Sequence, residues 1–255
     1  MINNFTFEQY RTFIWCWIAL ALVAGIYLLK QDAPYGRFSS TKWGPMISNR
    51  TGWLIMEATV LVTFYCWLPP GSVNWTSPAG VMILLFTVHY INRSFIFPFR
   101  IRTKGKKMPV VIMLSAIVFN TVNGSLLGCW FARWAAYPSG WFYSPAFLLG
   151  TSLFITGMSI NWWADHQLIQ LRGKGDTGYK IPEKGLFQYL TSPNLSGEML
   201  EWAGFAILTW SLPGLAFAVW TCANLAPRAI SNHRWYRQQF AGYPVERKIL
   251  LPFIW

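Results

Sequence analysis

The sequence predicts an all-α integral membrane protein, a bundle of seven transmembrane helices folded as one membrane-embedded domain over residues 1–255. Three observations carry that expectation. Of the residues, 54% are apolar and only 12% charged, where a soluble domain averages about a quarter charged. Apolar runs of membrane-spanning length recur along the whole chain. Lys and Arg gather in alternate linkers and in the C-terminal segment rather than being spread evenly.

The first span is expected at 13–29, FIWCWIALALVAGIYLL, bounded by Arg11 and Lys30. It lacks a basic leader and a small-residue cleavage site, so it reads as a true span rather than a signal peptide. Residues 30–51 form a basic linker broken by Pro34, Gly36, Gly44 and Pro45. The second span, 52–68, carries a carboxylate, Glu57, and stops at Pro69-Pro70-Gly71. The third, 78–97, ends in HYINRSFIFPF, followed by Arg100, Arg102, Lys104, Lys106 and Lys107. The fourth, 109–131, includes Asn120 and Asn123, and the fifth runs over 145–163. Residues 196–231 are too long for one span; Pro213-Gly214 divides them into helices at 198–211 and 213–230.

An odd number of spans puts the termini on opposite sides. The linkers after spans 1, 3 and 5 then share a side with the C-terminus and hold nearly all the Lys and Arg. The positive-inside rule makes that side cytoplasmic and the N-terminus periplasmic or lumenal. The same bias accounts for most of the net charge of +12, so no nucleic-acid partner is implied. Cys16, Cys66, Cys129 and Cys222 show no CxxC pair and lie in or near apolar blocks, which reads as small buried residues. His89, His166 and His233 are too scattered for a metal site, and no HExxH occurs. No internal repeat is visible, which weakens a transporter built on inverted halves.

Between spans 5 and 6 lies the stretch Asn161–Trp202, polar and Gly-rich at its centre. It is expected to be a loop that closes over a large phosphate-bearing cofactor. Asn161 and Asp165 share a helix face, Asn194 and Glu198 do likewise, and Arg228, Asn232 and Tyr236 make one stripe if the last helix outruns the membrane. Amides and carboxylates suit ribose hydroxyls; Arg172, Tyr179 and the basic groups suit phosphates. GKGDTG at 173–178 does not join a strand to a helix, so this is no Rossmann fingerprint. A carboxylate inside an apolar span, as at Glu57, is rare unless it faces a cavity or a partner. One reading pairs it with Arg93 to hold helices together. The other makes it a carboxyl of raised pKa that hydrogen-bonds a ligand, with Tyr90 as a second donor able to polarise a carbonyl.

The order and spacing of HYINR at 89–93, GMSINWWADHQLIQLR at 157–172 and GYKIPEKGLFQYLTSPNLSGEMLEW at 178–202, with the final RKILLPFIW, resemble the steroid 5-alpha-reductase family along the full chain. The resemblance implies NADPH-dependent reduction of the C4–C5 double bond of a 3-oxo-4-ene steroid to a 5-alpha-dihydro steroid. Hydride goes to C5 while Glu57 and Tyr90 polarise the C3 carbonyl. It implies a cofactor site of Asn161, Asp165, Arg172, Tyr179, Asn194, Glu198, Arg228, Asn232 and Tyr236, with Trp53 and Phe119 as pocket walls. The steroid would enter from the membrane lipid, in a bacterial inner membrane or the endoplasmic reticulum, and no obligate protein partner is implied. Two departures stand out: family members in animals tend to carry His where Asn232 stands and Arg near Ser115. The alternatives are a reductase of another sterol or enoyl lipid on this scaffold and a proton-coupled transporter using Glu57.

Overall fold

The chain is largely helical, as expected; the computed structural model describes residues 6–102, 105–171, 173 and 178–255. The long helices are α1 (Phe7–Lys30), α2 (Asn49–Tyr65), α3 (Pro78–Ile91), which runs through a π-turn (Asn92–Ile96) into the short α4 (Phe97–Arg100), then α5 (Val110–Arg133), α6 (Pro145–Gln170), α7 (Pro193–Thr209) and α8 (Leu212–Gln239). Three of these rods are long and apolar enough to cross a membrane by length and composition: Phe7–Lys30, Pro78–Arg100 and Val110–Arg133. Large apolar side chains such as Trp15, Leu22 and Val23 on α1 and Val118 on α5 are exposed, as lipid-facing positions would be.

Local chemistry sets the boundaries. Thr6 and Gln9 form a reciprocal capping box, so α1 starts at Phe7, ahead of the expected 13, and takes in Arg11, which pairs with Glu8 at 3.0 Å. The hydroxyls of Ser77, Ser144 and Ser211 each accept the backbone N–H three residues on, opening α3, α6 and α8. A proline follows within two positions in all three cases. Trp210, in the left-handed region at φ 43°, closes α7, so the break between the last two helices falls just ahead of Pro213-Gly214. Pro98 has no N–H to return to the preceding turn. The rod takes this up as a π-turn in which Phe97 N–H donates to Asn92 O.

Two compact units emerge. Among the described residues one is continuous, Ala33–Phe147; the other joins the chain up to Asp32 with Leu148–Gly173 and Gly178–Trp255. In the continuous unit a two-stranded antiparallel ladder pairs β1 (Met46–Ser48) with β2 (Lys107–Pro109), fixing the starts of α2 and α5. Those helices run parallel and very close. Asn120 Nδ2 donates to Met56 O at 2.7 Å, a Cβ on Gly124 would meet Val60 O at 2.7 Å, and one on Gly128 would meet Phe64 O at 2.5 Å. Met56, Met108 and Met113 pack below them.

In the discontinuous unit α6 and α7 cross antiparallel through glycines. A Cβ on Gly157 would lie 2.3 Å from Glu201 N, one on Gly204 2.5 Å from Phe154 N, and one on Gly150 2.4 Å from Leu208 N. Trp202 stacks on Phe217 at 4.2 Å, holding α7 against α8. Parallel to α8 runs α1, with Gly25 against Ala223 and Asp32 accepting a hydrogen bond from Ser231 Oγ.

Two expectations are corrected. The stretch 161–202 is not one closing loop: α6 continues to Gln170 and α7 begins at Pro193. Residues 185–190 are fixed, with Gly185 under the Trp163 ring and Leu190 bridged to Lys248. The cysteines are free thiols, but only Cys129 is buried; Cys222 is half-buried, and Cys16 and Cys66 are exposed, the first on the outer face of α1 and the second just past the end of α2.

Candidate functional site

The continuous unit carries the carboxyl group of Glu57 on α2. Its carboxylate Oε1 lies 4.0 Å from Arg93 Nε, and the two side chains are only 13% and 15% exposed. Arg93, on the π-turn, sits 4.6 Å over the Trp53 ring and 4.9 Å over that of Phe97. The two rings meet edge to face 5.7 Å apart, so the guanidinium rests in the corner they form, which suits a weakly hydrated, planar cation. This is the partner that the bland reading of Glu57 named. Arg93 comes three residues after Tyr90 in the chain, and Tyr90 is buried against Phe86 at 4.9 Å and His89 at 4.9 Å. Phe119, half-buried on α5, has its carbonyl capped by Asn123 Nδ2 at 2.9 Å. Asn120, which the sequence marked only as polar, ties α5 to the turn of α2 that precedes Glu57. Ser115 is exposed, and its hydroxyl donates to Val111 O of its own helix at 2.8 Å.

The discontinuous unit assembles most of the amides and carboxylates. Asn161, 4% exposed, donates through Nδ2 to Asn194 O at 2.9 Å and to Glu198 Oε2 at 3.4 Å. Asn194 Nδ2 donates to Asp165 Oδ1 at 2.9 Å. The α6–α7 glycine crossing explains why: it brings the backbones close enough for short side chains to reach across. On α8, Asn232 Nδ2 donates to Ser192 Oγ at 3.4 Å, while its buried Oδ1 accepts nothing among the described residues. Arg228 and Tyr236 lie one turn to either side, since α8 does continue to Gln239. Tyr236 is buried and stacked on Tyr243 at 5.4 Å. Tyr179 packs edge-on to Trp235 at 4.9 Å, on the neighbouring face of α8. Arg172 lies outside the described residues. Among the described residues no group of His, Cys, Asp and Glu is placed to hold a metal.

Sequence reasoning did not find the cluster beside this stripe. Thr191 Oγ1 lies 2.6 Å from His233 Nδ1 and 2.7 Å from Tyr243 OH. Burial, with Arg237 close by, pushes the His233 pKa below 6.5. Burial raises that of Tyr243 despite the opposing pull of Thr191 and Arg247. Pairings between segments so far apart in the chain leave no local pattern to read.

What the arrangement can do follows from its chemistry. The α6–α7 network and the α8 stripe offer carboxylates, amides and a guanidinium on one unit, the donor and acceptor set of a nucleotide. The orphaned Asn232 Oδ1 asks for a donor such as a hydroxyl or amide N–H. The other unit offers a buried acid–guanidinium pair on an apolar, aromatic wall.

Comparison with known proteins bears directly on this. The family model described as 3-oxo-5-alpha-steroid 4-dehydrogenase matches residues 106–255. The 3-oxo-5-alpha-steroid 4-dehydrogenase 1 of Bos taurus is 40% identical, covering 92% of this chain and 93% of its own. The steroid 5-alpha-reductase DET2 of Solanum lycopersicum is 41% identical over 88% of each. The 3-oxo-5-alpha-steroid 4-dehydrogenase 2 of Sus scrofa is 38% identical over 92% of each.

Proposed function

The chain belongs to the 3-oxo-5-alpha-steroid 4-dehydrogenase family, and from that membership we propose that it reduces the C4–C5 double bond of 3-oxo-4-ene steroids to 5-alpha-dihydro steroids. The observation that carries the proposal is the near end-to-end similarity to relatives from both animals and a plant that share this named activity. NADPH, when bound, supplies the hydride that arrives at C5.

The residues divide the work. Tyr90 donates its O–H to the C3 carbonyl of the steroid, and Glu57, protonated in its apolar setting against the pull of Arg93, donates a second hydrogen bond. Electron density then moves from C4=C5 toward the C3 oxygen, C5 becomes electron-poor, and C4 of the enolate takes up a proton. Arg93 orients Glu57 from its seat against Trp53 and Phe97. Trp53 and Phe119 present apolar surface to the steroid. Asn161, Asp165, Asn194 and Glu198 suit ribose hydroxyls. Arg172 and Arg228 suit phosphates, and Tyr179, Asn232 and Tyr236 complete the cofactor wall. Asn232 in place of His keeps an acceptor for the cofactor, its free Oδ1, and adds no charge.

We infer further that all seven rods span the membrane, with the C-terminus cytoplasmic. Helix directions support this reading. Spans an even number apart run parallel, as α2 with α5 and α1 with α8 do, while the neighbours α6 and α7 run antiparallel. Alternate crossings require this parity. A steroid would then enter from lipid, and the multiply charged NADPH from the basic aqueous side.

The test is NADPH oxidation by the purified protein in detergent, with testosterone or progesterone added and the product identified by mass and stereochemistry. A 5-alpha-dihydro product is expected. Tight NADPH binding without turnover of any 3-oxo-4-ene steroid would overturn the substrate assignment.

A further inference from the structure

The segment that follows α8 comes back to the level at which α7 begins. Ser192, the residue before α7, accepts from Asn232 Nδ2 at 3.4 Å, and Trp202 stacks on Phe217, so α7 and α8 run antiparallel. Helix α8 goes on past Asn232 to Gln239, about 10 Å further along its axis. The chain then turns back. Tyr243 OH meets Thr191 Oγ1 at 2.7 Å, while Lys248 N–H donates to Tyr189 O and Thr191 N–H to Lys248 O, both at 2.8 Å. Ser196 Oγ, in the first turn of α7, donates to Leu250 O at 2.8 Å. With 17 residues, α7 is about 25 Å long, close to the ~30 Å hydrocarbon core of a bilayer. On the seven-crossing reading given above, its first turn stands at the cytoplasmic edge of the hydrocarbon, and Leu250 stands there with it.

What this segment places there is apolar, aromatic and uncovered. Leu251, Phe253, Ile254 and Trp255 are exposed, Phe253 and Ile254 each at 78%. They are held in a closed turn: Ile254 N–H donates to Leu251 O at 3.2 Å, Trp255 N–H to Leu251 O at 3.1 Å and Leu250 N–H to Trp255 O at 2.9 Å. Phe253 stands at φ 65°, a left-handed conformation that a residue other than glycine seldom adopts. Its ring packs on Tyr189 at 5.5 Å, itself exposed. Lys248, half-exposed, adds a cation beside Tyr189. Rings with one polar end, aliphatic neighbours and a lysine on a flexible apolar stem are the composition of the membrane–water boundary. We propose that residues 251–255 and Tyr189 form a knob that lies in the cytoplasmic leaflet, between headgroups and acyl chains, with Lys248 reaching the lipid phosphates. Its backbone is joined to Thr191 and Ser196, so the bilayer holds the start of α7, which carries Asn194, from outside the protein. The proposal rests on the seven-crossing reading and on neither the steroid nor the NADPH assignment.

The test uses the full chain in phospholipid nanodiscs. With Cys16, Cys66 and Cys222 replaced by Ser, single cysteines are introduced as Phe253→Cys, Ile254→Cys and Gly242→Cys and labelled with an environment-sensitive fluorophore. Gly242 is exposed in the same segment with open space around it. Quenching is read with iodide from water and with lipids that carry a nitroxide high on the acyl chain. The labels at 253 and 254 are expected to be quenched by the nitroxide lipid and several-fold less by iodide than the label at 242, which should show the reverse. Equal iodide quenching at all three positions overturns the proposal, since the knob is then in water. Shielding from both quenchers also overturns it, since protein, a second copy included, then covers the knob. A second measurement keeps all native cysteines and needs no label. Hydrogen exchange of the Thr191, Lys248 and Leu251 amides in nanodiscs is expected to be several-fold faster in Ile254→Asp than in wild type; identical exchange overturns the proposal. Reaction of cysteines at 140 and 242 with an impermeant maleimide from one and the same side of sealed vesicles would instead sink the seven-crossing reading on which this rests.

Discussion

Glu57 and Tyr90 are largely buried in their unit, where a hydrogen bond to a ligand counts for more than it does in water. Glu57→Gln and Tyr90→Phe are each expected to lower kcat about 10²- to 10³-fold. NADPH affinity should be retained, because the proposed cofactor residues lie on the other unit; a parallel loss of NADPH binding would remove the two residues from the carbonyl role. His233 carries a second prediction. Its folded pKa is pushed below 6.5 by burial and by Arg237, so the unfolded chain takes up the proton first as pH falls. The stability it contributes is present above 6.5 and is lost as pH drops through the folded value. The melting temperature should therefore fall from pH 7.5 to pH 5.5, and His233→Gln should flatten that slope. At this scale the sequence was informative wherever spacing stayed within one helix. Asn161 with Asp165, and Arg228 with Asn232 and Tyr236, were readable at a four-residue period. The place of residues 251–255 was not, because it depends on a bridge between Leu190 and Lys248 that no local pattern announces.

The elements owe their placement to small residues more than to large ones. Gly150 and Gly157 on α6, and Gly197 and Gly204 on α7, are each seven apart, two turns, so each pair lies on one face. They let the backbones touch, and the Asn161–Asn194–Asp165 network depends on that approach. Gly197→Ala would place a methyl 2.6 Å from Asn161 N. It is expected to cost about 1–3 kcal/mol of stability and to weaken NADPH binding, while Gly140→Ala, with open space around its Cβ, should do neither. Thermal melts and NADPH titrations of the pair check this; equal behaviour would mean the crossing is not tight. The helices themselves were legible from apolar runs, prolines and the Ser-Pro starts. The extent of the polar stretch 161–202 was not, because polar residues on the outlying turns of α6 and α7 look like loop when read without the glycine faces. The π-turn was equally hidden: Pro98 is visible in the sequence, but whether a rod breaks, kinks or slips one residue is decided by its packing.

For the whole molecule, the proposed seven crossings, read from the alternate basic linkers, are open to a labelling experiment. With Cys16 and Cys66 replaced by Ser, a cysteine at Gly140 should react with an impermeant maleimide from the outer side. One at Gly242 should react only from the cytoplasmic side; labelling of both from one side would overturn seven crossings. Overall charge bias was the most readable property of the chain. The division into two units was not, since it joins the first helix to the last. That joining bears on how the protein is made. Residues 33–147 can pack as soon as they leave the ribosome and enter the bilayer. The first helix cannot: its Gly25 face and Asp32 wait for Ala223 and Ser231, far along the chain on α8. Until α8 has been made, α1 lacks the helix face against which it packs.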